Sequence, residues 1–290
     1  MNFRSLLAAA LLCLSPAAHA GEEVVAVLSS AGGAYLEAFS AFQASYGAPV
    51  RYFDASKGKT NLPPGTKLVV TFGTRAAAQG YPPGVDQIYC MAPGFFLAPG
   101  AHSGKAIKIS MRVSPARMLS KLIEIQPSLK RLRILWMSPA YTSFFEAYGE
   151  AGRALGLEIA VVKVAGPDQL PALLRTAIGR TDAIWLPPDP LLVSSDSLMI
   201  LRQFAWNNSI PLYGTTKGMS REGACASVGV SFAESGASAA AAVRSLQAGE
   251  SLPKIIFPEV TELTLNASSA KRCGLRFSPE ILREAAYLFP

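Results

Sequence analysis

The stretch best placed to do chemistry is AIWLPPDPLLVSS, residues 183–195. An apolar run, Ala183 to Leu186, stops at Pro187 and Pro188, and Asp189 sits between two prolines. A carboxylate held at the stiff end of a buried strand suits a ligand ammonium group. The plainer alternative is a turn acid between prolines. Other apolar runs end in hydroxyls and glycines: Ser29–Ser30 after 24–28, Gly73–Thr74 after 68–72, Tyr141–Thr142–Ser143 after 132–137, and Thr215 after 211–213. In open parallel sheets, ligands bind beyond the carboxyl ends of the strands, where helix N-termini present free N–H groups. The expected site is therefore Ser29, Ser30, Gly73, Thr74, Tyr141, Thr142, Ser143, Asp189 and Thr215. A ligand carboxylate fits Thr142/Ser143 or Gly73/Thr74, and an ammonium fits Asp189. Taken singly, each hydroxyl also reads as a helix cap, and Tyr141 reads as a stacking ring or a cover on the cleft rim.

Catalytic readings find little support. No GxSxG, HExxH, P-loop or dinucleotide fingerprint occurs. Of the two histidines, His19 lies in the leader-like N-terminus, leaving His102, which stands alone in a Pro/Gly-rich loop. Ser29–Ser30 thus lacks a histidine base, and no Cys/His spacing suggests a metal. No cofactor and no catalytic residue is expected.

Positioning these residues requires a strand–helix alternation. Strands are expected at Val24–Leu28, Val50–Phe53, Leu68–Phe72, Gln87–Met91, Lys105–Met111, Leu132–Met137, Leu157–Val162, Asp182–Leu186, Pro211–Tyr213, Ala224–Gly229 and Glu259–Leu265. Helices are expected at 34–45, 75–79, 114–123 (capped by Ser114-Pro115), 143–155, 168–178, 195–207, 233–247 and 280–286. Near-continuous apolar strands alternating with helices imply parallel sheets covered on both faces. There are too many strands for one compact sheet. The expectation is an α/β fold of two Rossmann-like lobes, with residues 21–112 plus 231–257 in lobe one and 113–230 plus 258–290 in lobe two.

Composition bounds the setting. MNFRSLLAAALLCLSPAAHA carries Arg4, an apolar run and a small-x-small end, the pattern of a secretory signal cleaved after Ala20. Its apolar run is too short to span a bilayer, and a periplasmic location is expected. The net charge of +7 is spread over the chain without an aromatic-interleaved basic stripe, so nucleic acid is not an expected partner. Beyond the leader the cysteines are Cys90, Cys225 and Cys273. Either Cys225 and Cys273 are bridged or all three are buried thiols.

From Leu132 to Leu288 the sequence resembles the substrate-binding proteins of ABC transporters, in the group with tryptophan/tyrosine-type binding components. The resemblance is carried by ALGLE at 154–158, the 183–195 stretch, IPLYGTTKGMSREGACASVGVSFAESG at 210–236 and LNASSAKRCGLRFSPEILREA at 265–285. Upstream, VTFGTRAAAQ at 70–79 and ISMRVSPARMLSKLIEIQPSLKRLRIL at 109–135 fit the same pattern. It implies a type I periplasmic binding protein-like fold with a multi-strand hinge near Arg112–Ser114, Gly229–Ser231 and Pro258–Val260. Its ligand contacts carry over to Ser29–Ser30 and Gly73–Thr74 in lobe one and to Tyr141–Ser143, Asp189 and Thr215 in lobe two. The implied function is a periplasmic solute-binding component of an uptake system. It would act as a monomer, binding a small polar ligand, an amino acid among the candidates, and delivering it to an inner-membrane permease. There is one departure. Residues 54–67, DASKGKTNLPPGTK, replace a full helix, so lobe one is trimmed. That favours, as the alternative, a sensor or partner subunit of the same fold acting on a membrane receptor or sensor kinase.

Overall fold

The computed structural model describes residues 23–98, 100, 104–138 and 144–290. In chain order the elements are β1 Val24–Leu28, α1 Gly33–Tyr46, β2 Tyr52–Asp54, β3 Leu68–Phe72, α2 Thr74–Ala77, β4 Asp86–Cys90, β5 Ala106–Ile109 and α3 Pro115–Ile125. Then follow β6 Arg131–Trp136, α4 Phe144–Ala154, β7 Glu158–Lys163, α5 Leu170–Arg175, β8 Ala183–Trp185, α6 Ser195–Asn208, β9 Leu212–Gly214, α7 Lys217–Arg221 and β10 Ala226–Gly229. The chain closes with α8 Phe232–Gln247, β11 Ile255–Ile256, β12 Glu262–Asn266, α9 Ala267–Arg272, α10 Pro279–Glu284 and β13 Tyr287–Phe289. No helix among the described residues is long and apolar enough to cross a membrane.

Two sheets form. The first runs β11-β5-β4-β3-β1-β2 and is parallel throughout. The second runs β13-β12-β10-β9-β8-β6-β7, parallel except where β12 meets β10 antiparallel. From the β2 edge and the β7 edge, each sheet begins with the same order, second strand, first, third, fourth, fifth. Each therefore has a point, between its first and third strands, where the crossovers diverge and a crevice opens. The inner strands are buried on both faces, as the runs VVAVL and LVVTF require, while the edge strands β2 and β7 are partly exposed.

Each sheet has its own core. In the first, Phe39 and Phe42 of α1 pack against Phe72 with centroids 5.9 and 5.8 Å apart. Burying each such ring stabilises the fold by about 1.5–3 kcal/mol. The alanine-rich α8 lies on α1, because Gly236 lets the backbones meet; a Cβ there would come within 1.9 Å of the Ala38 carbonyl oxygen. In the second core, the Trp185 and Tyr148 rings pack at a tilt with centroids 4.9 Å apart, in one cluster with Leu119, Leu122 and Ile134.

Helix starts follow local chemistry. The Ser231 hydroxyl accepts from the Glu234 N–H at 3.0 Å, opening α8 with an acid in its first turn. Ser194 accepts from Ser197 N–H to open α6. Ser114 precedes α3 and Pro115 takes its first turn as expected, but the hydroxyl makes no capping bond.

Several sequence expectations need correction. The chain does not end in a helix: α10 stops at Glu284 and β13 follows. The last long strand is Glu262–Asn266 rather than 259–265, and it runs against its neighbour β10. The helix expected over 168–178 is a 3-10 turn at 167–169 followed by α5. Between β2 and β3 the chain holds one 3-10 turn, Ala55–Lys57, and no helix, so the first lobe is short there.

Candidate functional site

At the first sheet's crevice, Ser29 and Gly73 end the adjacent strands β1 and β3. The buried Ser29 Oγ accepts a hydrogen bond from the Ala76 N–H at 3.0 Å. It thereby caps the single-turn helix α2 from a neighbouring strand. Gly73 has φ +100°, and a Cβ there would meet Ser29 Oγ at 2.4 Å and Tyr35 at 2.5 Å, so only glycine fits. Ser30 is half-buried beside this cap, and Thr74 is exposed at the first residue of α2.

The second crevice, between β6 and β8, is tied in the same manner by Asp189. Its side chain is fully buried. Oδ2 accepts from the Met137 and Ser138 N–H groups, both at 2.7 Å, and Oδ1 accepts from Leu191 N–H at 3.0 Å. Its carbonyl accepts from Val193 N–H at 2.8 Å. The expectation that this carboxylate points into the gap to meet an ammonium is corrected. It faces inward and satisfies backbone donors that a buried strand end would otherwise strand. Tyr141, Thr142 and Ser143 lie outside the described residues, as does His102.

A pocket of about 450 Å³ opens between the two lobes. From the first lobe come Glu37 of α1, Pro93 after β4 and Met111 after β5; from the second come Pro188, Thr215 and the start of α7. The crossover Gly229–Phe232 forms its back. Of the described residues expected from sequence, Thr215 alone is in this lining. Its N–H lies 3.4 Å and its hydroxyl 3.7 Å from Met219 Sδ. Gly229 brings the crossover close, since a Cβ there would sit 2.1 Å from the Thr215 carbonyl oxygen.

The pocket's charges come from residues that strand-end reasoning missed. Glu37 and Glu262 face it from opposite lobes, with Lys217 and Arg221 beside them. Burial raises the Glu262 carboxyl above its ordinary value; the Lys217 ammonium pulls it down and the Glu37 carboxylate pushes it up. The Lys217 ammonium sits 3.0 Å from the Tyr287 ring centroid. Lys217 lies only two residues past Thr215 and was within reach of a longer view of that loop. Glu262 was not, because its place beside Gly229 depends on the antiparallel turn of β12. The lining can hydrogen-bond a small polar molecule and balance both signs of charge. Among the described residues, no group of three or more His, Cys, Asp or Glu could hold a metal.

Residues 111–288 match the family model described as ABC transporter substrate binding protein. A sequence search of curated proteins finds no match. Among solved structures, similarity extends to the ligand-free, open form of a substrate binding protein with adhesive properties from Clostridium difficile, with TM-score 0.68, 15% identity, and 92% of this chain and 98% of that one covered. It also extends to a conserved domain protein from Vibrio cholerae, at TM-score 0.58, 14% identity and 91% and 98% coverage. An ABC domain from Streptococcus pneumonia in complex with L-Trp gives TM-score 0.57, 15% identity and 92% and 100% coverage. At these identities the structures speak for the fold, which is type I periplasmic binding protein-like, and the family match covers more than half of the sequence. The chain belongs to the ABC transporter substrate-binding protein family.

Proposed function

We propose that this protein is the periplasmic solute-binding component of an ABC-type uptake system, monomeric, and that it holds a small zwitterion such as an amino acid in the inter-lobe pocket. The observation that carries this reading is the composition of that pocket, with one carboxylate from each lobe and two cations on the second. An ammonium group between Glu37 and Glu262 relieves their mutual repulsion and draws the lobes together. A ligand carboxylate meets Lys217 and Arg221. Thr215, the strand-end groups Ser29, Ser30, Gly73 and Thr74, and Tyr141, Thr142 and Ser143 complete the proposed site. Asp189 serves it by fixing the strand exit. The crossovers near Arg112–Ser114, Gly229–Ser231 and Pro258–Val260 act as the hinge. Ligand is bound, delivered to an inner-membrane permease and left chemically unaltered; the leader-like N-terminus supports export.

A thermal-shift screen with amino acids, purines and short peptides tests this. A true ligand at 100 times its dissociation constant stabilises the protein by about 2.7 kcal/mol. A Glu37→Gln, Glu262→Gln double variant should lose affinity for the amine-bearing ligand about tenfold or more. Failure of every zwitterion to raise the melting temperature would sink the reading. The short link between β2 and β3 favours a second role, a sensor or partner subunit handing its ligand-bound shape to a membrane receptor or kinase. Co-purification with a permease, or instead with a receptor, separates the two.

A further inference from the structure

Cys90, Cys225 and Cys273 are all buried free thiols, but they are not equivalent. Cys90 lies in the first core, its Sγ 3.6 Å from the Thr71 carbonyl oxygen. Cys225 and Cys273 share the second core, where their thiols interact with each other and with Tyr213. Cys225 leads into β10, and its carbonyl accepts the Asn266 N–H at 2.9 Å, which pins the start of α9. Cys273 ends α9. Its wall also belongs to a pocket of about 480 Å³ lined by Gln126, Asp182 and Ile210, on the side of the second sheet away from the cleft. Cys225 does not reach that pocket and is fully buried.

We propose that Cys225 and Cys273 are a disulfide-forming pair, joined when the chain meets a disulfide-bearing oxidant, with Cys273 as the attacking thiol. The neighbouring Cys225 thiol holds the Cys273 thiol below its ordinary value; the same interaction, with burial, holds Cys225 well above. The thiolate is the nucleophile, and Cys273 is the one that opens on the pocket. Its thiolate attacks one sulfur of the oxidant's disulfide, forming a mixed disulfide and expelling the other sulfur as a thiolate. Cys225 then gives up its proton and attacks Cys273 Sγ, and the oxidant's second thiolate leaves. Two electrons have passed to the oxidant, now a dithiol, and two protons have left the pair. The bond closes a ring of chain that contains α8, β11 and β12 and therefore both late crossovers between the lobes. It fixes the two points on the second lobe from which that excursion departs and to which it returns, and a ring of this length removes considerable freedom from the unfolded chain.

The test uses the full chain, folded, incubated with oxidised glutathione, then denatured, alkylated and mapped by mass spectrometry. The expected result is a linked Cys225–Cys273 peptide lighter by two hydrogens than the two separate peptides, with Cys90 alkylated. The oxidised protein melts several degrees above the same protein held in dithiothreitol. A Cys225→Ser chain, its fold checked by circular dichroism, accumulates a glutathione adduct on Cys273, because the resolving thiol is gone. The proposal is overturned if Cys225 and Cys273 of the unaltered chain remain alkylatable, if either links to Cys90, or if the glutathione adduct persists on Cys273 with Cys225 present.

Discussion

Asp189 offers the sharpest test of how the site is built. Its carboxylate accepts three backbone N–H groups at 2.7, 2.7 and 3.0 Å while fully buried. Hydrogen bonds to a charged group contribute about 1.5–3 kcal/mol each, and stranding a buried donor costs a comparable amount. In Asp189→Asn the amide oxygen keeps Met137 and Ser138, but its NH₂ group then faces the Leu191 N–H, donor against donor. One bond is lost and the other two lose their charge. The expected destabilisation is about 2–3 kcal/mol, and for Asp189→Ala, which strands all three donors, about 4–5 kcal/mol. Urea unfolding followed by circular dichroism reads this as a fall in midpoint at constant slope. Ligand affinity, measured where each variant is fully folded, should change less than threefold. The reasoning fails if Asp189→Asn keeps its stability to within about 0.5 kcal/mol, or if it binds ligand more than tenfold more weakly while remaining as stable as the parent.

Three further outcomes follow from the same geometry. Lys108 is buried, its Nζ donating to the Phe95 carbonyl oxygen at 2.6 Å under the Phe96 ring, and burial, with Arg112 nearby, lowers its value from 10.5 to about 7. The unfolded chain then binds the extra proton between those values, so stability rises as pH climbs from about 7 to 10.5; Lys108→Met should flatten that rise, which exceeds about 1 kcal/mol. Glu262, raised above its ordinary 4.5 chiefly by burial, holds its proton longer when folded, so its contribution to stability falls as pH rises through that window. Melting curves of Glu262→Gln from pH 4 to 8 should lose that fall and lie above the parent at pH 8. Gly236→Ala places a methyl against the Ala38 carbonyl and should cost about 1–3 kcal/mol by chemical denaturation; a neutral result would mean that α1 and α8 can part without loss.

The fold class was legible because its cause is local. Runs such as VVAVL and AIW are apolar without interruption and are bounded by turn residues, as strands covered on both faces are, and the intervening stripes have helical spacing. The repeated strand order of the two sheets was invisible, since topology can recur where side chains do not. Short elements escaped for another reason. The two residues of β11 pair because β5 offers an edge, not because Ile255–Ile256 carries a pattern of its own. At the site, naming strand ends found the crevices. It misjudged Asp189, whose type suggests charge recognition but whose surroundings are unpaired N–H groups of a chain segment fifty residues away. It overlooked Glu37 and Glu262, which meet across the gap through tertiary placement alone.

The close seat of α8 on α1 has a consequence for how such a chain comes into being. The first sheet and its helices begin to emerge from the ribosome early, and β3 covers Phe39 and Phe42, yet the side of α1 around Ala38 on which Gly236 seats stays bare until α8 has been made, after ten of the thirteen strands among the described residues. For most of translation the nascent protein carries that uncovered patch of α1 awaiting its lid. Whatever holds the growing chain soluble must act on that patch, and a polypeptide cut short before residue 232 would carry it permanently.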